Sequence, residues 1–183
     1  TEIIVNTVDR IGKIVKGMKL FAGDRSADPP VPTSVSQIIN DTLSLCQQRF
    51  KNLGVELKFR GTEDVEIEAF CRPTEISQII LNLLNNSFDA VENLPERWIE
   101  IAIADRATDV HIAVTDSGPG IPKELRERIM QPFFTTKELG KGTGMGLSIS
   151  CGLAEAHGGK LFVDEAAKNT RFVLRLPKPP KEL

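Results

Sequence analysis

Apolar residues recur along this chain with three different periods, and each period predicts a different kind of element. Between Thr1 and Ala22, the residues Ile4, Val8, Ile11, Val15, Met18 and Ala22 step alternately by four and three, the spacing of a and d positions over about three heptads. This predicts a helix with a coiled-coil seam. Gly12 and Gly17 weaken it by roughly 1 kcal/mol each relative to Ala, and a lone helix of this length is marginal in water. The seam therefore wants a partner helix, in a hairpin or in another molecule. Packing on its own domain is the alternative, but Gly23 to Pro32 (GDRSADPPVP), too rich in Pro, Gly and Asp for helix, follows at once.

Beyond that segment, Thr33 or Ser34 is a good N-cap for a helix reaching Leu53 and stopping at Gly54. Val55 to Phe59 (VELKF) and Val65 to Ala69 (VEIEA) alternate with period two across a segment containing Gly61, which reads as a hairpin. Pro73 and Thr74 open the next helix, which runs to about Leu94-Pro95. At about 100° per residue, Ile76, Ile79, Ile80, Leu83, Leu84, Ala90 and Val91 share one broad face of it. Asn82, Asn86 and Asp89 fall on a stripe roughly 60° wide beside that face. Trp98 to Ala104 and Val110 to Thr115 read as strands, followed by a glycine-rich loop (DSGPGIP, Asp116 to Pro122) and a short charged helix, Lys123 to Met130. Gln131 to Lys137 (QPFFTTK) is irregular. Gly140 to Gly146 (GKGTGMG) opens a helix from about Met145 to His157, and Lys160 to Val163 and Thr170 to Leu176 close the chain as strands.

Helices alternating with pairs of strands predict an α+β fold: a two-layer α/β sandwich whose mixed, mostly antiparallel sheet is covered by helices on one face, plus the N-terminal coiled-coil-like helix. The expected division is a partial helical hairpin at 1–27, a linker at 28–33, a catalytic domain at 34–177 and a polar tail at 178–183.

Composition narrows the class without choosing a function. The chain has 183 residues, 40% hydrophobic and 26% charged, with a net charge of −2. That is a folded globular composition, and it carries no electrostatic footprint for nucleic acid. No apolar run reaches the roughly 18 residues of a membrane span, and no signal peptide opens the chain. Thr1 in place of an initiator Met suggests a piece of a longer protein, which leaves an anchor upstream open. Cys46, Cys71 and Cys151 are far apart and not in metal-ligand spacing, as expected of reduced thiols in a cytoplasmic setting.

Four short stretches could carry chemistry. Asn and Asp are poor helix-interior residues, so the Asn82–Asn86–Asp89 stripe needs a reason: a solvated edge, or amide oxygens one turn apart that share a Mg²⁺ with phosphates. Gly142, Gly144 and Gly146 run straight into an apolar helix, whose free N–H groups suit phosphate oxygens. Gly140 and Lys141 add the flexibility and charge of a lid. This is neither a Walker loop nor a dinucleotide fingerprint. Asp116, at a strand end, is an acceptor only; it suits the exocyclic amino group of adenine and repels the carbonyl of guanine, or it simply closes an Asx turn. Phe133 and Phe134 are core residues or a latch for the lid.

In order, these stretches resemble the boxes of the catalytic and ATP-binding domain of sensor histidine kinases: an asparagine box (NLLNNSFDAV), a first glycine box (DSGPGIP), a phenylalanine box (QPFFTTK) and a second glycine box (GKGTGMGLSIS), with His157-Gly158-Gly159 matching a further turn. The resemblance covers roughly Thr33 to Pro177. DRIGKIVKGMKLFAGD also resembles the second helix of the family's dimerisation and phosphoacceptor hairpin. The resemblance implies a Bergerat-type ATP fold with ATP and Mg²⁺ as cofactors. It implies Asn86 as metal ligand with Asn82 assisting, Asp116 on the adenine amino group, and Gly118, Gly120 and Ile121 around the base. Phe134, Thr136, Lys137 and Lys141 would contribute to the nucleotide site from the phenylalanine box and lid. Gly142, Thr143, Gly144, Met145, Gly146 and Leu147 would form the lid hinge and phosphate cradle, with Thr170 near an adenine-bound water. The family's usual Gly before that Thr is Asn169 here.

Relatives that hydrolyse ATP on this fold, such as type II topoisomerases, mismatch-repair ATPases and a heat-shock chaperone, carry a Glu four residues before the metal-binding Asn. Here that position is Asn82, and an amide is no general base. Phosphoryl transfer needs mainly positioning and charge neutralisation, so the sequence favours a kinase of a two-component system that passes the phosphoryl group to a His and on to a response regulator Asp. The expected partners are the phosphoacceptor helix of the same or a partner subunit, a response regulator, and a second copy in the full-length protein, with no nucleic acid and no membrane contact by this stretch. The chain has only two His, His111 in a strand and His157 at a helix end, so it is expected not to phosphorylate itself. Two other readings remain: a non-catalytic nucleotide-binding interaction module, and a kinase for another residue type.

Overall fold

The computed structural model describes residues 12, 29–61, 66–137 and 142–180. Apart from Gly12, the expected coiled-coil helix lies outside these residues, as do most of Gly23–Pro32, Gly140 and Lys141. In chain order the elements are β1 (Val31–Ser34), α1 (Val35–Asn52), β2 (Glu56–Arg60), β3 (Glu68–Cys71), α2 (Pro73–Val91), β4 (Trp98–Asp105), β5 (Asp109–Asp116), α3 (Lys123–Arg126) with a 3₁₀ turn at Arg128–Met130, α4 (Gly146–Ala156), β6 (Lys160–Val163) and β7 (Arg171–Pro177).

Five strands form the main sheet in the order β2-β4-β5-β7-β6. Only the β2–β4 pairing is parallel; the other three are antiparallel. Period-two alternation puts Ile101, Val114 and Phe172 in one row across the sheet, and Ile103, Ile112, Leu174 and Leu161 in the next. The helices α1, α2 and α4 cover this face. On the opposite face the register lines up Lys58, Glu100, Thr115 and Arg171. The result is the expected α+β sandwich with helices on one side.

α2 behaves as its pattern predicts. Ile76, Ile79, Ile80, Leu83, Leu84 and Val91 are all fully buried, each such burial contributing about 1.5–3 kcal/mol. Ala90, expected on the same face, is exposed, and Ser87 and Phe88 are buried instead. In α1, Ser34 Oγ caps the helix by accepting from the Gln37 N–H at 3.4 Å, and Gly54 takes the left-handed turn (φ 72°) that ends it.

One expectation is overturned. VELKF and VEIEA do not form a hairpin: β2 lies parallel to β4, and β3 pairs antiparallel with β1 in a separate two-stranded ribbon. Alternation marks a half-buried strand but not its partner, and the long crossover through β3 and α2 is what a parallel β2–β4 pair requires. The strand β1 also begins inside the stretch read as linker. Pro32 is tolerated there because a two-stranded ribbon is all edge.

A buried polar knot joins the end of α4 to the start of α2. His157 Nε2 accepts from the Arg72 N–H at 3.0 Å, while Nδ1 donates to Leu153 O at 2.8 Å. Arg72 Nε pairs with Glu75 Oε2 at 3.0 Å beside the ring. Burial pushes the His157 pKa down, so the ring is held neutral.

Candidate nucleotide site

The polar stripe of α2 divides in two. Asn82 turns toward α4, where its Nδ2 donates to Ser150 Oγ at 2.9 Å. Its Oδ1 lies against the first residue of that helix; a Cβ on Gly146 would come within 2.3 Å of it. Gly146 is thus the residue that lets α2 and α4 approach. Asn86, one turn further along, faces the phenylalanine-box segment: its Oδ1 accepts from Lys137 Nζ at 3.3 Å, and the same ammonium pairs with Asp89 Oδ2.

Asp116 ends β5 behind this stripe and is only 1% exposed. Its Oδ1 accepts from the Gly118 N–H at 2.8 Å, and its own N–H donates to Thr170 O at 3.0 Å. Burial raises the pKa of its carboxyl, an effect opposed by the Gly118 N–H and by the nearby Ser87 and Thr170 hydroxyls. Gly118 must be glycine, since a Cβ there would meet Asp116 Oδ1 at 2.7 Å and Thr170 Oγ1 at 3.4 Å. Gly120 turns the loop at φ 89°, with Lys168 O lying 3.3 Å from where a Cβ would stand. Ile121 packs against the core from the far end of this loop, and its carbonyl accepts from Arg126 Nε at 3.0 Å.

The second glycine box and the phenylalanine box cross at van der Waals contact. Gly144 (φ 66°) has no room for a Cβ, which would lie 2.4 Å from Phe133 C and 2.8 Å from Phe134 O. Phe133 itself holds φ 66° and is 68% exposed, a strained backbone for a bulky residue. Phe134 is half-buried under the Arg128 guanidinium, 4.5 Å from its ring centroid. Thr136 is exposed. Thr143 Oγ1 accepts from the Met145 N–H at 3.4 Å, Met145 is buried, and Leu147 packs against the core. Among the described residues no side chain caps α4, the arrangement in which the first N–H groups of a helix can meet a ligand. Lys141 lies outside the described residues.

Two open cavities, each of about 310 Å³, flank the β6–β7 loop. One lies on the outer sheet face beside Lys58, Trp98 and Arg171. The other is lined by Gly120, Ile121, Asn169 and Thr170.

The stripe on α2 offers oxygen donors suited to a divalent cation. Asn86 Oδ1 and Asp89 Oδ2 already converge on one positive charge, the Lys137 ammonium; neutral and anionic hard oxygens of this kind suit Mg²⁺, which takes one or two protein ligands and keeps waters. Asn86 and Asp89 converge most closely, and the Asn82 Nδ2 bond to Ser150 leaves its Oδ1 as a further neutral oxygen one turn away. Among the described residues there is no cluster of three His, Cys, Asp or Glu side chains that would hold a metal by itself. Three polar residues were given no role by the sequence. Ser87 is buried beside Asp116, with an Oγ that has no partner within hydrogen-bond geometry; its signal was a polar side chain four residues from both Leu83 and Val91 on the apolar face. Ser150 is the buried partner of Asn82, and Asn169 contacts Gly118, both across distances in sequence that no local pattern spans.

The family described as histidine kinase-, DNA gyrase B-, and HSP90-like ATPase matches residues 71–180. The C4-dicarboxylate transport sensor protein DctB of Rhizobium meliloti (strain 1021) is 28% identical over 179 residues, 97% of this chain and 28% of that protein. The chain thus spans under a third of that relative's length. The nucleotide-free catalytic domain of the histidine kinase ThkA superposes with a TM-score of 0.69 at 34% identity, covering 82% of this chain and 97% of that one. ThkA in complex with the response regulator protein TrrA superposes with a TM-score of 0.75 at 29% identity, covering 99% of this chain and 51% of that one.

Proposed function

Since the chain belongs to the family of histidine kinase-, DNA gyrase B- and HSP90-like ATPases, we propose that it binds Mg-ATP and transfers the γ-phosphoryl group to a His presented by a helix hairpin, as the catalytic domain of a two-component sensor histidine kinase. The observation that carries this reading is the buried Asp116 carboxylate, fixed by the Gly118 N–H and by the backbone bond to Thr170, set against the same helix, α2, as the start of α4: Ser87 lies beside Asp116 and Asn82 beside Gly146.

In this reading Asp116 accepts from the adenine amino group, with Gly118, Gly120, Ile121 and Thr170 shaping the base pocket. The segment from Gly142 to Leu147 cradles phosphates at the helix N-terminus, and Lys137 swings from Asp89 to the phosphates. Asn86, with Asn82 assisting and Asp89 beside it, would hold Mg²⁺. Bound there, Mg²⁺ would neutralise charge on the phosphate oxygens. Asn82 hydrogen-bonds Ser150 and has no basic lone pair to activate water, which supports transfer over hydrolysis. Neither His suits the role of acceptor: His111 lies on a strand and pairs with Asp109 at 2.9 Å, and His157 is buried. The acceptor is therefore expected on a helix of the same or a partner subunit, and a homodimer and a response regulator complete the assembly; the ThkA–TrrA likeness supports the last. The residues before about Pro32 would belong to the hairpin and linker, and 34–177 would be the catalytic unit. Among the described residues no helix is long and apolar enough to cross a membrane, in keeping with a role on the cytoplasmic side.

The test is incubation of the 183-residue chain with γ-labelled ATP and Mg²⁺, with and without a separately supplied hairpin carrying an exposed His followed by an acidic residue. The expected result is acid-labile label on the hairpin and none on this chain. Label on His111 or His157, or failure to bind ATP, overturns the reading.

A further inference from the structure

The Asp116–Gly118 turn is braced from across the sheet by a side chain to which no function has yet been given. Asn169, in the β6–β7 loop, donates from Nδ2 to Gly118 O at 3.1 Å. Gly118 is thus held on both sides of its residue: its N–H is bonded to Asp116 Oδ1 at 2.8 Å and its C=O to Asn169. Glycine has no intrinsic preference that would fix those peptides, so its partners must do it. The next residue, Thr170, completes the wall, pairing its backbone oxygen with the Asp116 N–H at 3.0 Å. The loop carrying Asn169 is itself pinned by Asp164, whose Oδ1 accepts from the Ala166 N–H at 3.0 Å and whose N–H donates to Arg171 O at 2.9 Å. A second side chain, Arg126, bonds the glycine loop only at its exit, on Ile121 O.

We propose that Asn169 is the positioning residue for base selectivity: through Gly118 it holds the Asp116 carboxylate in the rotamer that accepts from an exocyclic amino group. This rests on the nucleotide-binding reading of Asp116 and adds to it a residue outside the binding boxes. Without the Asn169 amide, the peptide after Gly118 is no longer held, the freely rotating glycine between the two peptides lets the turn shift, the Gly118 N–H bond to Asp116 Oδ1 loosens, and the carboxylate loses its fixed direction. A nucleotide base that lacks the amino group draws nothing from that direction and is indifferent to its loss.

The experiment measures the affinity of the 183-residue chain, by calorimetry with Mg²⁺, for ATP and for purine riboside triphosphate, which lacks only the exocyclic amino group. Wild type is expected to prefer ATP by about 10- to 100-fold, the range of a charge-assisted hydrogen bond. Asn169→Asp keeps the shape but removes the donor, and Asn169→Ala removes the side chain. Each is expected to narrow the preference by roughly 3- to 10-fold, the range of one hydrogen bond, by weakening ATP alone. An unchanged ratio in both variants, or equal weakening of both nucleotides, overturns the role of Asn169 while leaving Asp116 as the base contact. A wild type without preference overturns the Asp116 reading, and the proposal falls with it.

Discussion

The two ends of the candidate site, one at Asp116 and one at Lys137, are built on opposite plans although both meet the same turn of α2. At the Asp116 end, the carboxylate, Ser87 and Thr170 are all buried, the turn is closed by short bonds, and a distant loop holds it from behind. At the Lys137 end, the ammonium bridges Asn86 and Asp89 from a half-exposed position, Phe133 sits strained and exposed, and two glycines touch backbone or side chain of the crossing segment. The first plan suits recognition, where a preformed site loses little ordering entropy on binding. The second suits a step that must open and close around a triphosphate. Desolvation sharpens the contrast: a charge in the dry end acts strongly, whereas a surface ion pair contributes little.

The largest effects should come from the dry end. Asp116→Ala is expected to weaken ATP by about 10- to 100-fold, measured by calorimetry. Asp116→Asn separates the cost of burying the charge from the loss of the base contact. Burial raises the folded pKa of Asp116 above its ordinary value, so folding favours the protonated form. Its contribution to stability is therefore present below the ordinary carboxylate range and is lost as pH rises through the raised folded value. Asp116→Asn should accordingly raise Tm at pH 7 and lose that advantage on acidification below the ordinary carboxylate range. A variant that is less stable than wild type at pH 7 would mean that the bonds from Gly118 and Thr170 outweigh burial.

An intermediate effect is expected at the crossing of the two glycine-controlled segments. Gly144→Ala places a Cβ 2.4 Å from a backbone carbon of Phe133, at a φ of 66°, and neither side can yield as a flexible side chain would. A loss of about 1–3 kcal/mol is expected from the strain and overpacking, read by urea unfolding, with ATP affinity falling as well. Unchanged stability would show that the crossing is looser than its geometry.

The smallest effect belongs to Lys137→Met. The pair with Asp89 is part-exposed, so stability should change by no more than about 1 kcal/mol. ATP affinity should nevertheless fall several-fold and become less sensitive to salt, because the triphosphate would lose a cation. Equal effects at Lys137 and Asp116 would erase the distinction between the two ends.

Much of this was legible wherever the pattern was local. The 3.6-residue period of α2 gave its buried face, the Gly spacing gave the turn after β5 and the start of α4, and the uncapped Met145 junction lay within a residue of the expected helix start. What failed was pairing. VELKF carries the same alternation whether its neighbour is the next strand or β4, and only the crossover through α2 decides. Asn82 and Asn86 looked equivalent on a helical wheel, yet α4 claims one and the phenylalanine box the other. Asn169 looked like a departure from a glycine pattern. Its bond to Gly118 joins residues on different strands' loops, and no window of sequence contains both.

The small ribbon of β1 and β3 has a mechanical consequence. Its four pairs run from Val31↔Cys71 to Ser34↔Glu68, and β3 leads through Arg72 directly into the first residue of α2. Because the pair is antiparallel, Val31 and Cys71 share one end of it, so a tug on the chain ahead of Val31 loads that rung first and the others yield in turn. The first rung stands beside Arg72, at the root of the helix that carries Asn82, Asn86 and Asp89. The ribbon is a clasp that peels: movement at the entry to the domain reaches the root of α2 without crossing the core.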